Sequence, residues 1–363
     1  NNYEHYQDFR FPFNVPGLRQ LTEQEQDNWS VSAFAQTYFD LNDTLRLRAG
    51  LRYSVEDTDM DVRISLFESF ATGSIEYGGG NLFAVQVAER RDEEWNEFGW
   101  DLGLDWTPND NLLGYLSYKR GFKSGGFVGR LAIADDIGPY DPEFVDTVEV
   151  GIKSDWMDNR LRLNMGVFYN WYDDIQLPQI YFTTDAFGNQ INGNSILNAA
   201  AATTWGVEAE MTAVPTTGLT LFVSMGYLDA TYDDFPLALP SGGILDMSGE
   251  PLQNSPEWTI NAGLNYDFRV GNGQANFNAV FKYVDSKFNN GLDNAQRVFI
   301  QSTETVDAHL EWTPDEGSWS VSLWATNLFD QRNVASVFDA PGVLAIVNYA
   351  APREYGASIR VRF

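Results

Sequence analysis

Apolar and polar residues alternate with a period of two along nearly the whole chain, and this restricts the fold more than any other feature. Between Thr44 and Val55, Leu45, Leu47, Ala49, Leu51, Tyr53 and Val55 fall on one face of an extended strand. Arg46, Arg48, Gly50, Arg52 and Ser54 fall on the other. The pattern returns at Phe98–Trp106, Leu161–Trp171, Thr204–Ala213, Leu219–Tyr227, Trp258–Phe268, Ala275–Tyr283, Val306–Trp312, Trp319–Ala325 and Tyr355–Phe363. It is weaker at Trp29–Asp40, Leu112–Phe122 and Val145–Trp156, which makes about thirteen strands in all. The apolar stripes span about 9–11 residues, the length of a tilted strand crossing a bilayer. The last strand of a soluble sandwich would also alternate. A polar face carrying three arginines suits the wall of a water-filled lumen better than the outside of a soluble core.

The connections separate these readings. Short turns rich in Pro, Gly, Asn and Asp fall at 40–43, 107–111, 158–159, 214–218, 270–273 and 313–317. Long connections fall between them, at about 56–93, 122–144, 174–201, 230–256, 286–303 and 329–353. Short turns on one side and long loops on the other are the sidedness of an outer-membrane barrel. Aromatic residues make up 15% of the chain, and Trp106, Trp171, Trp258, Trp312, Trp319 and Tyr355 sit at stripe ends, where membrane girdles lie. The expected fold is therefore all-β, a transmembrane antiparallel β-barrel. A formal charge of −28 argues against nucleic acid as a partner, and the absence of cysteine removes disulfides and thiolate metal sites.

Counting back from Phe363 at the periplasmic rim places residues 1–28 in an extracellular loop remnant and residues 29–363 in the C-terminal portion of the barrel. Thirteen is odd, whereas bacterial single-chain barrels have even numbers of strands. An unclosed sheet would leave unpaired backbone in lipid. Further strands are thus expected before Asn1, beside Arg360 and Arg362 of the terminal strand.

Several segments resemble TonB-dependent outer-membrane receptors of Gram-negative bacteria. They are Tyr115-Leu-Ser-Tyr-Lys-Arg-Gly-Phe-Lys-Ser-Gly-Gly-Phe127, Tyr140-Asp-Pro-Glu-Phe-Val-Asp-Thr-Val-Glu-Val-Gly-Ile-Lys153, Asn159–Tyr169, Asn327-Leu-Phe-Asp330 and the terminal Phe363. The resemblance implies a barrel of about 22 strands with a plugged lumen, of which this chain would supply the last thirteen. It also implies an N-terminal plug and the missing strands, from the same or another chain, and energy coupling through TonB, ExbB and ExbD. The implied function is active import of a scarce or bulky nutrient: a siderophore, cobalamin or carbohydrate. The surroundings would be outer-membrane lipid and lipopolysaccharide. The alternative is a plugless or partial barrel serving as a scaffold, adhesin or phage receptor. Neither enzyme activity nor a cofactor is expected.

Candidate residues follow from these positions. Phe9, Phe11, Phe13, Lys123, Phe127, Tyr181 and Phe182 lie on expected loops and are candidates to face a small-molecule ligand. Gly121–Phe127 is expected to be a flexible turn at the mouth. Arg46, Arg48, Arg52, Asp101, Asp105, Arg360 and Arg362 are expected to face the lumen or its plug. The arginines either pair across strands with Asp101 and Asp105 or form an electropositive strip for an acidic plug or an anionic ligand. His309 between Asp307 and Glu311 reads as polar wall, since residues two apart on a strand rarely converge on one ion. The carboxylates of Glu56–Asp61 lack the pattern of a calcium loop and read as a solvated acidic segment, so no metal site is expected.

Overall fold

The computed structural model describes residues 2–10, 18–68, 82–129, 136–184, 190–238, 243–289, 298–340 and 344–362. These residues form twenty strands and no helix. The first nine are β1 (Asn2–Arg10), β2 (Leu18–Asn42), β3 (Leu45–Glu68), β4 (Leu82–Asn109), β5 (Leu112–Lys123), β6 (Glu143–Trp156), β7 (Leu161–Thr184), β8 (Gln190–Thr216) and β9 (Leu219–Asp234). Then come β10 (Pro236–Ala238), β11 (Ile244–Asp246), β12 (Trp258–Val270), β13 (Gly273–Val284), β14 (Lys287–Phe288), β15 (Phe299–Ile300), β16 (Thr303–Pro314), β17 (Trp319–Thr326), β18 (Val334–Ala340), β19 (Leu344–Tyr349) and β20 (Glu354–Val361). Fourteen of them make one antiparallel sheet in the order β1-β2-β3-β4-β5-β6-β7-β8-β9-β12-β13-β16-β17-β20. The pairs β10–β11, β14–β15 and β18–β19 are small hairpins within three of the long connections. All thirteen expected strands are present, and β1 is the fourteenth.

The two faces separate as the alternation requires. Leu47, Leu51, Phe98, Leu102, Trp106, Met165, Val167 and Trp171 are 41–53% exposed on one continuous face. An apolar band of that extent is costly in water and natural against lipid. Aromatic pairs edge the band. Tyr227 packs on both Trp205 (5.3 Å) and Trp258 (4.9 Å), and Trp312 meets Trp319 at 5.3 Å near the short turns. The opposite, polar face is the lumen side.

Three expectations change. Residues 1–28 are not simply a loop: Asn2 pairs with Asp27 and Arg10 with Arg19, so β1 and the start of β2 form a ladder. The long connections 56–93 and 174–201 are largely strand as well. β2, β3, β4, β7 and β8 run for 24–28 residues, far more than a bilayer needs. Beyond the bilayer both faces meet water, so the apolar alternation fades while the backbone still needs partners. A ladder supplies them. In β7 and β8 two bulges lie side by side: one extra residue on β7 between Tyr172 and Ile175, then one on β8 between Asn198 and Ala200. They cancel, and the pairing beyond them keeps the register of the pairing below.

The third change concerns Gly121–Phe127: Gly121–Lys123 complete β5 and pair with β6, and Ser124–Phe127 open a packed turn. The β5–β6 connection folds inward onto the lumen face. Phe127, Val128 and Ile137 bury against Met60, Val62 and Ile64 of β3 and Trp95 of β4. On β3 these positions continue the arginine face, so the lumen wall turns from charged to apolar above the bilayer. A second buried cluster joins Ile175 and Leu177 of β7, Ala200 and Ala202 of β8, and Tyr232, Phe235, Leu237 and Met247.

Candidate functional site

The lumen wall is built by laying large side chains flat over glycines of the neighbouring strand. A Cβ on Gly151 would come within 2.5 Å of the Tyr115 ring, one on Gly206 within 2.6 Å of Phe168, and one on Gly356 within 2.6 Å of Trp324. Phe222 covers Gly263 in the same way, and the Arg48 guanidinium covers Gly103. In each case the covering residue lies on the strand rising from a short turn, and the glycine on the strand that follows. Only a residue without Cβ leaves room for this contact.

The charges on this wall fall into two arcs. On β3 and β4, Arg48 donates from Nε to Asp101 Oδ2 at 3.1 Å and lies 3.6 Å from Asp105. Arg46 pairs with Asp40, and Arg52 donates to Ser54 and Ser32. Asp101 Oδ1 is buried with no hydrogen-bond partner among the described residues. The structure thus brings Arg48, Asp101 and Asp105 together, and it leaves Arg46 and Arg52 with other partners. The second arc was missed from the sequence. Glu149 of β6 and Glu208 and Glu210 of β8 line one cavity of about 450 Å³ with Tyr115 and Lys153. The Tyr115 hydroxyl donates to Glu149 at 2.6 Å, and Lys119 approaches the same carboxylate at 3.8 Å. The signal was present as polar-face residues opposite the Val148–Ile152 and Val207–Met211 stripes. Only strand pairing shows that they converge.

At the mouth, the inward-folded turn is held from both sides. Gly126 and Tyr140 exchange backbone hydrogen bonds, and Val128 N–H donates to Ile137 O at 2.8 Å. The buried Gln176 of β7 donates from Nε2 to Ser124 O (2.8 Å) and Asp141 O (3.1 Å). Asn198 of β8 exchanges two bonds with the Asp141 backbone, each 2.8 Å. One polar pair therefore grips both ends of the turn. Burial raises the pKa of the Tyr140 phenol, which packs against the inner apolar cluster.

The other expected site residues scatter. Phe9 lies on β1, while Phe11, Phe13 and Phe363 lie outside the described residues. Tyr181 and Phe182 are on β7, paired with Gly193 and Asn192, rather than on an irregular loop. Lys123 is exposed at the end of β5, whereas Phe127 is buried 6.1 Å from the Trp95 ring and serves the packing of the turn. Arg360 and Arg362 are exposed on the strand end at the open edge of the sheet. His309 stands on the lumen face between Asn278 and Trp324, and its neighbour Asp307 is engaged by Lys282 and by the Asn327 N–H. Asp59 pairs with Arg90 on the outward face. Among the described residues no group of three His, Cys, Asp or Glu side chains is placed to hold a metal.

Comparison with known proteins agrees with this architecture. Residues 1–328 match the family described as TonB dependent receptor-like, beta-barrel. The ferric yersiniabactin uptake receptor FyuA from Yersinia pestis superposes with a TM-score of 0.78 at 18% identity, over 100% of this chain and 49% of that one. The siderophore receptor PiuA from Acinetobacter baumannii gives 0.65 at 18% identity, over 95% and 43%. The ferric-catecholate import receptor Fiu from E. coli K12 gives 0.67 at 18% identity, over 95% and 45%. The chain spans a little under half the length of these structures. With the family matched over nine-tenths of its residues, the chain belongs to the TonB-dependent receptor-like β-barrels.

Proposed function

We propose that this chain is the C-terminal part of the barrel wall of an outer-membrane receptor that imports a scarce or bulky nutrient with TonB-coupled energy. The observation that carries this reading is the contrast along the lumen face. Charged side chains line it at bilayer depth, and an inward-folded turn narrows it above. Such a lumen suits a selective, plugged passage better than an open pore. Residues 29–363 serve as wall, with Arg48, Asp101, Asp105, Glu149, Glu208 and Glu210 facing a plug domain, and with Arg360 and Arg362 beside a strand that closes the sheet. The mouth, from Lys123 to the Gln176–Asn198 clamp, meets the ligand. The fold neighbours are named for siderophores, which makes ferric chelates the first ligands to try.

The test is uptake of labelled ferric chelates by cells expressing the full-length receptor, with and without TonB. The expected outcome is accumulation that requires both. Surface binding that survives loss of TonB, with no accumulation in either strain, would leave a binding protein rather than an importer.

A further inference from the structure

A pocket of about 360 Å³ opens on the lumen face at the mouth, between β6, β7, β8 and β9. Phe168, Ile175 and Leu252 form its apolar side. Ile175 belongs to the second buried cluster and Leu252 packs against it, so this wall is braced from behind. Its polar side carries Glu143, Asn170, Tyr172, Thr204 and Ser255, and their existing bonds decide what they can offer. Glu143 Oε2 accepts the Gln176 N–H at 2.9 Å, which fixes the carboxylate. Its Oε1 has no hydrogen-bond partner among the described residues. Asn170 spends Nδ2 on Thr204 Oγ1 at 2.8 Å, which leaves its Oδ1 open. Ser255 spends its hydroxyl proton on Gln253 O at 3.2 Å, and the hydroxyls of Tyr172 and Thr204 can each turn a lone pair or a proton toward the pocket. The pocket thus presents two acceptor oxygens, one of them charged, and two adaptable hydroxyls beside an apolar wall. Lys123 is the register partner of Glu143, yet no ion pair joins them among the described residues. Below the pocket lie Glu149, Glu208 and Glu210, which repel an anion entering this side of the lumen.

We propose that this pocket binds an apolar or aromatic group carrying an ammonium head, with the head on Glu143 and Asn170 and the body against Phe168, Ile175 and Leu252. An ammonium supplies only donors, which is what two acceptors require, and the apolar wall strengthens the charge-assisted bond by excluding water. This deepens the receptor reading, on which it rests for the route by which a ligand arrives. Equilibrium binding needs no transport, so failure of the pocket and failure of the importer reading give different results.

The experiment is calorimetric binding of tryptamine and of 3-indolepropionate to the full-length receptor in detergent. The two probes share a ring and differ in the sign of the head. Tryptamine is expected to bind about tenfold more tightly, the size of one charge-assisted hydrogen bond. Glu143→Gln keeps the shape and an acceptor, and is expected to bring the two affinities to about the same value. Leu252→Trp fills the apolar side and is expected to weaken both probes. The folded, heat-modifiable band on a gel confirms that each variant is intact, and Asn170→Leu serves if Glu143→Gln fails to fold. Equal affinities in the native receptor, no detectable tryptamine binding, or an undiminished tryptamine preference in the folded variant would overturn the proposal.

Discussion

Asn327 adopts a left-handed backbone with φ of 47° and uses its side chain to close the turn that follows. Its Oδ1 accepts the Gln331 N–H at 2.9 Å, and its Nδ2 donates to Gln331 O (2.9 Å) and Ala351 O (3.3 Å). The buried Asn327→Ala variant strands these partners and gives up a residue that tolerates the left-handed region. The expected loss is about 2 kcal/mol, read as a lower temperature for conversion of the folded to the unfolded gel band. Asp246, on an outer hairpin, accepts from the Ser248 hydroxyl at 2.6 Å and the Ser248 N–H at 2.9 Å, and these bonds hold its pKa below the ordinary 3.8. A depressed folded pKa stabilises above the unfolded value, and the effect is lost as pH falls through the folded value. Protection of the Ser248 amide, corrected for intrinsic exchange, is therefore expected to drop below about pH 4, and Asp246→Asn is expected to flatten that dependence. The Asn327–Asp330 segment was legible in the sequence as part of the family resemblance, while its bond to Ala351, twenty-four positions on, was not. The burial of Phe127 was not, because its partners Met60, Val62 and Ile64 lie more than sixty positions away.

At the level of strands, the contact between Trp324 and Gly356 ties β17 to β20, the last strand of the sheet. Gly356→Ala puts a methyl where the Trp324 ring lies, with an expected cost of about 1–3 kcal/mol. Trp324→Ala removes the clash, so the double variant is expected to lose less than the sum of the single losses, measured as a cycle of unfolding free energies in urea. The turn between β5 and β6 offers a second check. Gln176→Leu removes the donor that grips Ser124 and Asp141. Amide exchange at Gly126 and Val128 is expected to accelerate at least about tenfold, corresponding to one or more lost hydrogen bonds. Unchanged exchange would show that the apolar cluster, the Asn198 bonds and the backbone pairing hold the turn without Gln176. The strands' bilayer segments were readable from alternation because lipid on one side and water on the other impose it. The upper parts of β2, β3, β4, β7 and β8 were read as loops because water on both sides imposes no such pattern.

Across the molecule, the lumen face carries arginines with their aspartates on β3 and β4, and a glutamate cluster on β6 and β8. The arginine arc was visible in one strand's sequence. The glutamate arc required the sheet, since Glu149 and Glu208 are fifty-nine positions apart and meet only through the pairing of β6, β7 and β8. The same pairing explains how so tall an outer rim coexists with a fixed membrane wall. Because the paired bulges of β7 and β8 cancel, the hairpin tip from Leu177 to Leu197 begins and ends in the register of the strands beneath it. A change of length at that tip, made equally on both arms, turns no side chain of the lower wall from lipid to water. Rim height and membrane seal are therefore separate variables of this fold: the one can be lengthened or shortened while the other keeps its pattern.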